Sequence, residues 1–137
     1  MYQKDYILRM IEMLGDLIAG IFGLIKKKKF DQASESLDRI YYDMLKQDAT
    51  YFRDLPIEDI TRRLLEDHNY TNGHLEILAE LFYAEAELRL AKGNHQGCLD
   101  FSRKSLKLFE FVEKEYRTFS FDRSAKMKKL AERLGAE

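Results

Sequence analysis

Apolar residues recur along the start of the chain at steps of three and four. Ile7, Met10, Ile11, Leu14, Leu17, Ile18, Ile21, Leu24 and Ile25 trace the period of an α-helix and predict one over about residues 2–28. Asp5, Arg9, Glu12 and Asp16 fill the opposite face, which continues at the same spacing as Ala19, Gly20 and Gly23. Each interior glycine costs a helix roughly 1 kcal/mol relative to alanine. Gly15, Gly20 and Gly23 therefore cost about 3 kcal/mol together. The expected compensation is a second helix approaching closely over that stripe.

The same period returns after Phe30 as Ala33, Leu37, Ile40, Tyr41, Met44 and Leu45, with Asp31 placed to cap the helix or to add first-turn charge. It lapses between Gln47 and Pro56, where Asp54-Leu55-Pro56 predicts a helix start with proline near the first helical position. Ile57, Ile60, Leu64 and Leu65 predict a short helix ending near His68. The run from His68 to Gly73 predicts a loop, with Thr71 or Asn72 capping a helix that carries Leu75, Leu78, Ala79, Phe82, Ala86 and Leu90. Gly93-Asn94 stops that helix. A fifth follows from about Gly97 with Cys98, Phe101, Ser105, Leu106, Phe109, Val112 and Tyr116. A break at 118–122 precedes a last helix over about 121–134, closed by Gly135. No stretch alternates with period two for long enough to make a strand. The predicted class is all-α: antiparallel hairpins, about six helices, one domain over residues 1–137.

Composition agrees. Apolar residues make up 45% of the 137 and charged residues 34%, which excludes a disordered tail and a membrane bundle alike. A formal charge of −1 gives no global field toward nucleic acid. The lone Cys98 cannot close an internal disulfide and suits a reducing interior. The uncharged run from Leu17 to Ile25 is far shorter than the roughly 20 residues of a spanning helix, and no leader-type cleavage site follows it. The expected location is cytoplasmic.

Two segments repeat one another. Lys28-Lys29-Phe30-Asp31-Gln32-Ala33 with Leu37 and Ile40 pairs with Gly93-Asn94-His95-Gln96-Gly97-Cys98 with Ser102, Ser105, Leu106 and Leu108. Each resembles the second half of a tetratricopeptide unit, in degenerate units at about 14–45 and 79–109. That resemblance implies stacked helical hairpins. Ala33 and Cys98 would be the small residues where paired helices meet, Phe30 and His95 the plugs of the turns, and the last helix a cap. Lys28 stands where the family has glycine, neither unit ends in proline, and Glu85 and Arg89 occupy positions that are apolar there. The opening from Tyr2 to Glu12 is similar to the start of some bacterial helical-repeat proteins, which implies a bacterial source.

Residues with catalytic or ligating chemistry are sparse. His95 and Cys98 have ligand-like spacing, but zinc needs about four ligands and no second pair accompanies them. No metal or cofactor is expected. His68 and His74 flank a loop as solvated or capping groups, and Glu12 with Asp16 reads as a solvated face. There is no Glu-x-x-His, phosphate-cradling loop or nucleophile elbow, so catalysis is not expected. Lys26 to Lys29 reads as a helix C-terminus, and Lys126, Lys128, Lys129 and Arg133 as a solvated last helix rather than a nucleic-acid or membrane surface.

Two functions remain. The tetratricopeptide resemblance implies a protein-interaction module, with a concave groove for a peptide or helix lined by Ile18, Phe22, Lys26, Tyr83, Glu87 and Leu90. The alternative is a structural homo-oligomer, a homodimer in the simplest case, touching through Ala19 and Gly23 of the first helix.

Overall fold

The computed structural model describes residues 2–67, 69–116 and 120–135. Within them the chain is all-helical, as predicted, and no strand occurs. Its helices are α1 (Tyr2–Lys26), α2 (Phe30–Leu45), α3 (Ala49–Arg53), α4 (Ile60–Asp67), α5 (Asn72–Ala91), α6 (His95–Tyr116) and α7 (Phe121–Gly135). The helix beyond the expected six is α3, a single turn too short to show a period. Asp48 caps it by accepting from the Thr50 N–H, and it buries Ala49 and Phe52. Pro56 does not start a helix. Its carbonyl accepts from Asp59 in a turn, Leu55 is an anchor in the core, and α4 begins at Ile60. His68 and most of the expected break at 118–122 lie outside the described residues.

The two hairpins turn alike. Lys29 N–H reaches back to Leu24 O at 2.8 Å, and Asn94 N–H to Arg89 O at 2.8 Å, the long closing bond of a helix C-terminus whose next residue is left-handed. Lys28 (φ +61°) and Gly93 (φ +82°) hold that conformation, so Lys28 does at some strain what glycine does freely. Ala33 and Cys98, equally placed beyond the turns, are fully buried, and Phe30 packs against the core. His95 does not plug its turn; it is exposed at the start of α6.

The core is centred on α5, which packs against α1, α2 and α6. The apolar face expected for α5 is only part of what it buries. Ile77, Leu81, Ala84 and Leu88 are inside as well, while Leu90 lies beyond the core and is exposed. A helix apolar all round is one surrounded by others. Where α5 begins, a Cβ at Gly73 would collide with the Ile7 side chain, so glycine there lets α1 and α5 close. Thr71 and His74 form a reciprocal cap: Thr71 Oγ1 accepts from His74 N–H, and His74 Nδ1 accepts from Thr71 N–H at 3.0 Å.

Inside this apolar helix sits Glu85, 1% exposed. Arg53 of α3 donates to both its oxygens, at 2.9 and 2.8 Å, Arg89 adds a third bond at 3.3 Å, and Arg53 also pairs with Asp38 of α2 at 2.8 Å. The guanidinium of Arg53 lies over the Tyr41 ring. Lys104 of α6 donates to Arg53 O at 2.8 Å and Lys107 to Ile57 O at 2.7 Å. This network fastens the irregular stretch between α2 and α4 to the hairpin of α5 and α6, and it accounts for charges at two positions that the repeat pattern leaves apolar.

Removing one partner strands a buried charge. Glu85→Ala is expected to lower unfolding free energy by about 3–5 kcal/mol, while the double variant Arg53→Met/Glu85→Leu recovers most of the loss; denaturant titration measures both. Burial also holds the His74 imidazole below its ordinary value of 6.5. The unfolded chain therefore takes up that proton first as pH falls, so the contribution of neutral His74 is full above about pH 6.5 and is lost below it. Melting temperature is expected to fall as pH drops below about 6.5, and His74→Gln, which keeps an acceptor at the same capping position, removes part of that fall.

Candidate interaction surfaces

Two apolar seams run along α1. Ile7, Ile11, Leu14, Ile18, Ile21 and Ile25 alternate steps of four and three, and Tyr6, Met10, Met13, Leu17, Gly20 and Leu24 repeat the same rhythm one position earlier. Each is a heptad seam of the kind by which helices pack. The first seam belongs to the core, with Ile7, Leu14, Ile18 and Ile21 buried. The second faces away from α5, into an open groove between α1 and α2 of about 670 Å³. Met10 and Ile21 of α1, with Ile40 and Met44 of α2, form its buried floor. Tyr6, Met13 and Leu17 stand in it at 54%, 59% and 42% exposure. Arg9 and Asp16 on α1, and Ser36, Arg39 and Asp43 on α2, also line it. α5 fills one side of the first hairpin, and no element among the described residues fills the other.

The residues expected to line a concave groove take different places. Ile18 is in the core, and Lys26 and Leu90 are exposed at helix ends. Phe22 and Tyr83 meet, with ring centroids 6.3 Å apart. Tyr83 lies beneath Lys126 and Lys129 of α7, each 5.7 Å from the ring centre. Glu87 receives Lys129 at 2.9 Å and Arg133 at 3.1 Å.

Of the basic group expected on a solvated last helix, Lys126, Lys129 and Arg133 instead reach carboxylates of α5, while Lys128 is exposed. Arg123 pairs with Glu76 at 3.0 Å and Lys126 with Glu80 at 2.6 Å, so α7 lies along α5 through successive ion pairs, with Leu130 buried among them. Burial works to raise the Glu87 carboxyl, but the bonds from Lys129 and Arg133 outweigh it and hold the group below the usual carboxylate range. At Glu80 burial prevails over Lys126, and that carboxyl is raised. Beside this seam a cleft of about 140 Å³ remains between Ile11, Leu14 and Gly15 of α1 and the Glu76, Glu80, Arg123 and Lys126 side chains.

Ala19 and Gly23 lie on the exposed side of α1. The expected close approach over the glycine stripe does not occur among the described residues: a Cβ built at Gly15, Gly20 or Gly23 meets nothing within 4 Å. The reason is rotational: α5 packs on the Leu14 side of the helix, so Gly15 only borders the cleft beside it, Gly20 lines the groove and Gly23 is exposed.

Chemistry is scarce. Cys98 is buried, 3.9 Å from Ser102 Oγ, whereas His95 is exposed, so their spacing does not make a ligand pair. Glu12 and Asp16 are both exposed. Among the described residues no group of three or more His, Cys, Asp or Glu is placed to hold a metal ion. No helix there is long and apolar enough to cross a membrane. No protein-family model, curated protein or solved structure matches the chain.

With open space around it, Gly23 gives up helix propensity for no contact among the described residues. Gly23→Ala is expected to raise unfolding free energy by about 0.5–1 kcal/mol, measured by thermal or urea denaturation. A loss of stability would show that the position is crowded after all.

Proposed function

We propose that this chain is a protein-interaction module, built on a tetratricopeptide-like pair of hairpins, whose binding surface is the open groove between α1 and α2. One observation carries the reading. A heptad seam, apolar except for Gly20, lies in a groove with Tyr6, Met13 and Leu17 exposed above the buried Met10, and exposed apolar surface bounded by polar residues is characteristic of contact sites. The shape suits a helix, which packs by setting its own ridge between two others. Methionines at positions 10, 13 and 44 give that surface adaptable side chains, a common property of helix-binding grooves. The polar groups line the groove with mixed charge and without a ligand-binding cluster, which favours binding over catalysis. The matching turns at Lys28 and Gly93 support the tetratricopeptide comparison. The single buried thiol of Cys98 supports a reducing, cytoplasmic setting.

Photo-cross-linking in living cells tests the site. p-Benzoylphenylalanine placed at Met13 or Leu17 is expected to yield protein adducts, and the same probe at exposed Glu110 of α6 is not. Equal yields from all three positions, or none from 13 and 17, would overturn the assignment.

A further inference from the structure

We infer that the groove between α1 and α2 is occupied by a second copy of this chain, with the two α1 helices antiparallel about a two-fold axis. The inference rests on the groove reading above and names its occupant. The charges beside the seam supply the argument. Arg9 and Asp16 lie one heptad apart, in equivalent positions flanking the exposed seam. Neither is in an ion pair within the chain among the described residues. When two such helices run antiparallel, this flank of one faces the same flank of the other, so Arg9 of each copy meets Asp16 of its mate, twice. In that register Met10 stacks on Met13 and Tyr6 on Leu17, again twice each, and the apolar layers close together with the charges.

A parallel arrangement lacks this match. It would set Arg9 and Asp16 against the other flank of the seam, and there Ile7, Leu14 and Ile21 are already buried in their own core. An unrelated partner of uniform charge fits poorly too, because a helix that attracts Arg9 repels Asp16. On α2 the groove again carries one charge of each sign, Arg39 and Asp43. Both walls are thus self-complementary, which is what an isologous contact requires. Two hairpins joined this way make a four-helix bundle.

Sedimentation of the full chain at micromolar concentration provides the test, with circular dichroism confirming that each variant folds; Arg9 and Asp16 are exposed, so their replacement leaves the core intact. The wild type is expected to be a dimer. Arg9→Asp and Asp16→Arg, each opposing like charges at both contacts, raise the dissociation constant by about tenfold or more. The double variant Arg9→Asp/Asp16→Arg restores the pairs in reverse and returns it to within about threefold of wild type. A wild type that stays monomeric, or a double variant no tighter than the single ones, overturns the inference. Should the chain be monomeric while the probes at 13 and 17 capture a different protein, the groove reading stands and only the identity of the occupant is wrong. A monomer without adducts removes both.

Discussion

Everything in this fold depends on α5 being wrapped on all sides. A helix with Leu, Ile, Phe or Ala on every face but the one carrying Glu76, Glu80 and Glu87 cannot remain at a surface, so α1 and α2 cover one side of it and α6 another. Wrapping also traps the Glu85 carboxylate in the apolar interior, and a buried charge is tolerated only with partners. Arg53 and Arg89 provide them. That requirement explains the otherwise odd single turn of α3. Its task is to carry Arg53 to Glu85 and to present the carbonyl that Lys104 binds.

The two ends of the helical stack are finished differently. At the C-terminal end α7 covers α5, and the cover is electrostatic as much as apolar. Glu76, Glu80 and Glu87 meet Arg123, Lys126, Lys129 and Arg133, while Leu130 is the buried apolar anchor. At the other end the first hairpin carries no such cover over its outer groove. Stacked helical units need polar outer faces at their ends, and here the N-terminal face keeps Tyr6, Met13 and Leu17 exposed instead.

Much of this was legible in the chain. Steps of three and four gave α1, α2, α5 and α6, and a cap at Thr71 or Asn72 and the turn at Gly93 followed from local chemistry, whereas a turn at Lys28, read as the end of the first helix, was implied by the tetratricopeptide resemblance alone. What escaped needed tertiary information. The helix α3 has no period to read, and Pro56 looked like a helix start because proline suits the first helical position, whereas Leu55 is an anchor in the core and α4 begins only at Ile60. The cations of α7 looked solvated because their partners lie some 46 residues away. The groove left a signal that was read too coarsely. At about 100° per residue the apolar arc of α1 from Met13 round to Ile11 spans roughly 160°, more than one neighbour covers. Taken as a single face it gives a core helix; divided into two heptad seams it gives a core and a second contact. The glycines were no guide to packing: Gly20 lines the groove, Gly15 the small cleft beside α5, and Gly23 is exposed, and small residues mark close packing only where another helix approaches them.

The unequal ends also limit how such a molecule can assemble. Head-to-tail growth into a filament needs two different surfaces that complement each other, and α7 offers the groove little to complement, since Arg123, Lys126, Lys129 and Arg133 are paired with α5 and Leu130 is buried. In the proposed dimer the groove between α1 and α2 instead meets its own likeness, and an isologous contact of that kind closes on itself after two copies. The same asymmetry protects the monomer's core: Met13 and Leu17 reach outward from a helix whose other seam is already packed, so pairing adds a layer without rearranging what lies beneath. Assembly of this kind adds to a finished fold and is not needed to complete it.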